Sequence, residues 1–254
     1  MKKIICILLI TSVLLFVAYK KNKSETVNQT LQTDTTVNEE QENVIDITKP
    51  MIALTFDDGP SAHTQRLLDI FKTHGGKGTF FVLGSTLDDR QEALRQIAND
   101  GHEIGNHSWS HSSFVESSSD AVRNEIMKTR NKIYDITGVD CTLVRPPHGA
   151  CNERIQTVGR EIGVAFVNWS VDTLDWKTKN ADAVYKEIMN YVADGNIILC
   201  HDLHKTTVDA MERAIPDLIE KGYQLVTVSE LLTCRGGEII PGNIYYRQAK
   251  QVNS

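Results

Sequence analysis

Seven short apolar runs, at 51–56, 78–83, 102–106, 142–145, 165–170, 196–201 and 224–228, alternate with stretches whose apolar residues recur at helical spacing. Leu67, Leu68 and Phe71 make one such stripe, Ala93, Leu94 and Ile97 a second, and Val122, Ile126, Ile133 and Ile136 a third. Val184, Ile188 and Val192, then Ala214, Leu218 and Ile219, supply two more. Strands joined through helices over short connections must run parallel, with right-handed crossovers. About seven strands suit an incomplete or distorted (β/α) barrel better than a doubly wound sheet, and in either fold the strand C-terminal ends gather at one face, where sites form. A chain of 254 residues that is 41% hydrophobic can bury one core of that size.

The polar residues at those strand ends carry the chemistry. His107 and His111 lie four residues apart in the run His-Ser-Trp-Ser-His, so a single helical turn or tight loop brings both to one cation. A carboxylate from another strand completes a site of three protein ligands, and the Asp57–Asp58 pair in TFDDGP at 55–60 offers two. No Glu sits between the histidines, so a general base must come from elsewhere, and the second carboxylate of that pair is available. Two imidazoles and a carboxylate suit zinc and admit cobalt, nickel or iron. Three more clusters follow at or just past strand ends: RPPHG at 145–149, DTLDW at 172–176 and LCH at 199–201. Gly75-Gly76-Lys77-Gly78-Thr79 is not a phosphate loop, because a strand and not a helix follows it; it reads as a helix C-cap and turn. His63, His74, His102 and His204 read as solvated or structural, and Trp109 and Phe114 as packing around the histidine loop.

In this order the five motifs resemble those of the polysaccharide deacetylases that share the NodB-homology domain, carbohydrate esterase family four, over roughly residues 49–235. The resemblance implies the same barrel and one divalent ion held by Asp58, His107 and His111. It makes Asp57 the base, Arg145 its ion-pair partner, and the backbone N–H of His148 a donor to the oxyanion. His201, at the end of an apolar strand, is the candidate acid that protonates the leaving amine. By the family pattern Asp175 orients its ring, with Asp172 and Asp202 as stand-ins. Trp176 is expected to wall the pocket and Leu199 to line an acetyl-sized groove. Asp57 and Asp58 are expected to point apart because successive strand side chains alternate. Without the motif, Arg145 would read as a surface ion pair worth almost nothing. One position departs from the pattern: His148 stands where the family most often has Tyr. A main-chain donor need not be harmed by that exchange, and Pro146 and Pro147 fix the loop around it.

The remainder of the chain speaks to location. A formal net charge of −6 provides no basic field for nucleic acid. Lys2 and Lys3 precede an apolar run from Ile4 to Tyr19, and Lys20, Lys21 and Lys23 follow it. As a helix this run reaches roughly 24 Å, short of a hydrocarbon core of roughly 30 Å unless the lysines snorkel. An uncleaved anchor at 1–20 is preferred to a removed signal peptide, since no small-residue cleavage site precedes Tyr19. The polar linker at 21–48 would reach about 25 to 30 Å, and residues 236–254 form a tail without a recognisable pattern. Cys6, Cys141, Cys151, Cys200 and Cys234 set no disulfide framework; a pair such as Cys141 with Cys151 stays open, and Cys141 and Cys200 read as buried thiols. The function expected is metal-dependent removal of acetyl groups from N-acetylated amino sugars of a cell-surface polysaccharide, with the domain facing outside on its anchor or secreted. Peptidoglycan N-acetylglucosamine is the first substrate, and chitin oligomers and O-acetylated xylan are alternatives. A wall-binding protein without turnover and an amidase for non-sugar amides are rivals of other kinds. Nothing in the sequence implies a protein partner.

Overall fold

β1 (Met51–Asp57) is buried at all of its positions, as a strand covered on both faces must be, and it is the centre of the sheet. The computed structural model describes residues 45–249, so the expected anchor at 1–20 and most of the linker lie outside the described residues. Among the described residues no helix is long and apolar enough to cross a membrane. After β1 the chain alternates through α1 (Thr64–His74), β2 (Gly78–Val82), α2 (Gln91–Asn99), β3 (Glu103–Asn106), α3 (Ser119–Thr137), β4 (Leu143–Val144), α4 (Glu153–Ile162) and β5 (Ala165–Val167). It continues through β6 (Val171–Asp172), α5 (Asp175–Thr178), α6 (Ala181–Tyr191), β7 (Ile197–His201), α7 (Lys205–Glu220), β8 (Gln224–Leu225), α8 (Val228–Gly236) and β9 (Ile244–Tyr245).

The strands lie in the order β6-β7-β1-β2-β3-β4-β5-β9, with β8 against the start of β1, and every ladder between them is parallel. β5 and β6 sit towards opposite ends of that order, yet only residues 168–170 separate them. The sheet must therefore curl until its ends meet. Asn168 N–H donates to the Tyr245 carbonyl at 2.7 Å and Ser170 N–H to the Ile197 carbonyl at 2.9 Å, which ties the link to both ends. The result is the distorted (β/α) barrel that the alternation of elements implied. Three features differ from the sequence reading. The strand expected over 224–228 stops at Leu225, and Val228 already opens α8 behind its Thr227 cap. The strand expected over 165–170 stops at Val167 and resumes as β6, because the chain changes neighbours there. The patternless tail contributes β9, a strand of two residues and too short for an alternation to show.

Most of the residues of the helical stripes form the outer core. Leu67, Leu68, Phe71, Leu94, Ile97, Ile133, Val184, Ile188, Ala214 and Leu218 are buried against β1, β2 and β7, while Val122 and Ile126 join a second cluster with Val144 and Phe166. α1 ends on Gly75 at φ 92°, with its N–H on the Phe71 carbonyl, and β2 follows as the glycine run implied. The interior of the barrel is less apolar. Phe81 fills it from β2, and a Cβ at Gly105 on β3 would lie 2.3 Å from its ring, so only glycine leaves it room. The fully buried Arg145 stacks its guanidinium 4.1 Å from the Phe81 ring centroid.

Candidate active site

β1 ends at Asp57, and Asp58 follows at φ 68°, in the left-handed region. The two carboxylates therefore do not separate by strand alternation, as the sequence suggested. Both reach the same ring: Nε2 of His107 lies 3.5 Å from Asp58 Oδ1 and 3.6 Å from Asp57 Oδ2. What distinguishes them is their other contacts. Asp57 Oδ1 accepts from Arg145 Nη1 at 2.6 Å, whereas Asp58 Oδ1 lies 3.6 Å from His111 Nε2 and, though buried, has no hydrogen-bond partner.

An orphaned buried carboxylate oxygen facing two imidazole nitrogens is a costly arrangement for a protein alone and a normal one for a cation site. One ligand atom from each of Asp58, His107 and His111 lies within 4.8 Å of the others. Nδ1 of His107 sits 2.7 Å from the main-chain carbonyl of Arg145, and a carbonyl can only accept, so Nδ1 carries the proton and Nε2 offers a lone pair. Burial pushes the His107 pKa down to about 3, which keeps the ring neutral. These three residues fit a divalent ion, as their spacing in the sequence implied.

The histidines come from a tight loop after β3, not a helical turn. Ser108 and His111 hold φ of 70° and 61°, strain of roughly 1–3 kcal/mol each, so the loop needs outside support. Ser108 N–H donates to Asn106 Oδ1 at 2.9 Å and His111 N–H to Ser108 Oγ at 2.9 Å. Glu125, from α3, accepts from Trp109 N–H at 2.9 Å and Ser110 N–H at 2.8 Å, both on Oε2, and from Ser110 Oγ on Oε1 at 3.0 Å. Lys128, one turn on, places its ammonium 3.6 Å from the Trp109 ring centroid. Glu125 was not visible as a site residue in the sequence, where it is one more polar position of an amphipathic helix.

Arg145 is no surface cation. Besides Asp57, its guanidinium donates to Thr55 Oγ1 at 2.8 Å and to the carbonyls of Val167 and Asn168 at 3.2 and 3.1 Å. Burial pushes the Asp57 carboxyl above its ordinary range against the pull of Arg145 and His201. Asp57 and His201 are register partners across β1 and β7, so they leave neighbouring strands on the same face.

Nδ1 of His201 lies 2.8 Å from Asp175 Oδ1, and Asp175 Oδ2 accepts from the His201 N–H at 2.7 Å and from Thr207 Oγ1 at 2.8 Å. Burial works against the charged ring, but the bond to Asp175 and the charges of Asp175, Asp57 and Asp58 outweigh it, and the His201 pKa is raised. The two stand-ins are engaged elsewhere. Asp172 accepts the Leu174 N–H at 2.9 Å, and the buried Asp202 takes the Thr64 hydroxyl, its pKa pushed up to about 6 by burial.

A cavity of about 370 Å³ opens over these groups. Trp176, half exposed at 50%, and the buried Leu199 line it as expected, and so do Trp169 and Asp172, which the motifs did not single out as lining residues. His148 lies on the rim at φ 59°, its ring edge-on to His111 with centroids 4.7 Å apart. Of the histidines set aside, His102 is structural: its Nδ1 accepts from Gly78 N–H at 3.0 Å and its ring packs on Phe71 and Phe80. Cys141, Cys151, Cys200 and Cys234 are all free thiols, with Cys141 and Cys200 buried and no bond between Cys141 and Cys151.

Comparison with known proteins points to one family. The family model described as polysaccharide deacetylase matches residues 45–167. The peptidoglycan-N-acetylglucosamine deacetylase PgdA of Listeria monocytogenes is 43% identical over 185 residues, which are 72% of this chain and 39% of that protein. The peptidoglycan-N-acetylmuramic acid deacetylase PdaC of Bacillus subtilis is 41% identical over 192 residues, 75% of this chain and 40% of that protein. The chain thus spans about two fifths of the length of these curated relatives. Among solved structures, a family 4 acetyl xylan esterase from Clostridium thermocellum, in complex with a cobalt ion, superposes with a TM-score of 0.73 at 35% identity. That match covers 78% of this chain and 98% of the esterase.

Proposed function

The chain belongs to the polysaccharide deacetylase family, and from that premise we propose that it hydrolyses the N-acetyl groups of amino sugars in a cell-surface polysaccharide, with peptidoglycan N-acetylglucosamine as the first substrate. The observation that carries this reading is the pairing of Asp57 and His201 on one face, each backed by an opposite charge, beside three residues able to hold a divalent ion. Asp58, His107 and His111 would hold that ion, zinc before cobalt, nickel or iron, and when bound it supplies Lewis-acid polarisation of the amide carbonyl and acidification of water.

Asp57 takes a proton from the water that adds to the amide carbon, with Arg145 fixing the carboxylate and leaving Oδ2 toward the pocket. The main-chain N–H of His148 donates to the oxyanion that develops as the carbonyl opens. His201 then gives the proton on Nε2 to the amide nitrogen. The C–N bond breaks, and acetate and a free amine leave. Asp175 holds the imidazole in the tautomer this needs, since its carboxylate can only accept from Nδ1. Trp176 and Leu199 bound the space for the sugar and the acetyl methyl.

Acetate release from purified peptidoglycan, chitin oligomers and acetylated xylan, with metal content measured on the same sample, tests the proposal. Free amine appearing with acetate supports N-deacetylation, and mass spectrometry of digested glycan tells which amino sugar carries it. Acetate without amine would make the chain an esterase, a reading supported by the 35% identical xylan esterase. Metal bound with nothing released would leave a wall-binding protein. A wall substrate puts the domain outside the cell, on its anchor or secreted; an anchored, outward-facing domain would be removed by protease treatment of intact cells.

A further inference from the structure

We infer that Glu125 is a positioning residue for the metal centre, holding the loop from His107 to His111 in the shape that presents both imidazoles to one ion. The inference rests on the metal-site reading above and concerns what maintains that site. One carboxylate takes two consecutive main-chain N–H groups, of Trp109 and Ser110, and the Ser110 hydroxyl. The residues so tied lie between the two histidines, and the backbone on either side of them is left-handed at Ser108 and His111. The opposite edge of the loop is held by main chain alone: Gly84 N–H donates to the Ser108 carbonyl and Ser85 N–H to the Trp109 carbonyl, both at 3.0 Å.

The loop is therefore pinned between main-chain bonds from Gly84 and Ser85 on one side and the Glu125 carboxylate on the other, with Asn106 and Ser108 bracing it from within. Glu125 does not hold its own helix, which docks through the buried Val122, Ile126 and Ile133 and is capped by Ser118. Its bonds leave the helix for the ligand loop. Partners of this kind, one step removed from a ligand, set metal affinity by roughly 10- to 100-fold. A charged acceptor matters because its bonds to the two N–H groups are charge-assisted; a Gln amide could keep both N–H groups on its one oxygen and donate from its NH₂ to the Ser110 hydroxyl, but without the charge that strengthens them.

The test uses the full chain stripped of metal. Zn²⁺ affinity is measured by competition with a chromophoric chelator, the absorption spectrum is recorded with Co²⁺, and the metal-free protein is melted. Glu125→Ala should weaken Zn²⁺ binding about 10-fold or more and alter the Co²⁺ bands, while the metal-free melting temperature stays close to that of the parent. Glu125→Gln should fall between, and it decides the matter if Glu125→Ala does not fold. Parent-like Zn²⁺ affinity and Co²⁺ spectrum in Glu125→Gln and Glu125→Ala, with binding abolished in His107→Ala, would overturn the role of Glu125 alone. Undiminished binding in His107→Ala would overturn the metal-site reading and this inference with it.

Discussion

The main-chain carbonyl of Arg145 accepts the Nδ1 proton of His107 at 2.7 Å. The guanidinium of the same residue is bound to Asp57 at 2.6 Å, so one residue at the end of β4 orients a metal ligand through its backbone and the base through its side chain. Those two roles can be separated by substitution. Arg145→Met keeps the carbonyl and most of the volume but leaves the buried Asp57 without its cation, a loss that costs about 3–5 kcal/mol when one partner of a buried pair is removed. We expect urea unfolding to show a loss of that order, turnover to collapse, and the metal content of the folded protein to stay near one ion. Loss of metal in step with turnover would mean that the side chain, and not the carbonyl, sets the His107 ring.

Base and ligand are adjacent in sequence and both touch His107, so their assignment needs its own experiment. Asp57→Asn should keep most of the metal and lose turnover, because the amide can still occupy the space beside Arg145 but cannot take a proton. His107→Ala should lose both. Equal metal loss in the two variants would show that Asp57 and Asp58 have exchanged roles.

The His201–Asp175 pair fixes the sign of the pH dependence. The raised pKa of His201 means that the protonated ring is favoured by folding, so its contribution to stability is complete below the ordinary histidine value and is lost as pH rises through the raised value. Turnover should fall on the alkaline side over the same window, because the acid must carry its proton. Asp175→Asn removes the carboxylate that outweighs burial. The alkaline limb of kcat should then move to lower pH and the maximum should drop. An unmoved limb would detach His201 from it.

Much of this architecture was legible because the strands are followed by helices with clear apolar stripes, and because each polar motif ends a strand. The buried faces of α1, α2 and α6 follow the spacing of Leu67, Leu94 and Val184 closely. The elements that escaped are short or relational. β6 and β9 have two residues each, too few for an alternation, and they exist because the barrel brings its two ends together. Glu125 escaped because its importance lies in two backbone N–H groups of a loop 15 and 16 residues upstream, and no side-chain pattern records which N–H groups a loop leaves unpaired. The separation of Asp57 from Asp58 was read as strand alternation, whereas the left-handed backbone at Asp58 and the pull of Arg145 produce it. The site residues could be named from motifs, but how they are held could not.

His148 offers the sharpest test of main-chain against side-chain chemistry. Its backbone lies at φ 59°, where an imidazole residue is tolerated better than most and glycine is not strained at all. Its ring packs edge-on to His111 but is not one of the three residues whose ligand atoms converge. If the backbone N–H is the working group, His148→Gly keeps the donor and the turn, and kcat should stay within about threefold of the parent, whereas removal of an oxyanion donor costs roughly 10²- to 10³-fold. His148→Tyr, which brings in the residue the family more often has here, carries a somewhat higher backbone cost at this φ but should behave likewise and change KM more than kcat, since the side chain faces the rim of the cavity. The measurement is steady-state turnover on an N-acetylated oligosaccharide at saturating metal. A 100-fold loss of kcat in His148→Gly, with metal content unchanged, would transfer the role from the main chain to the imidazole.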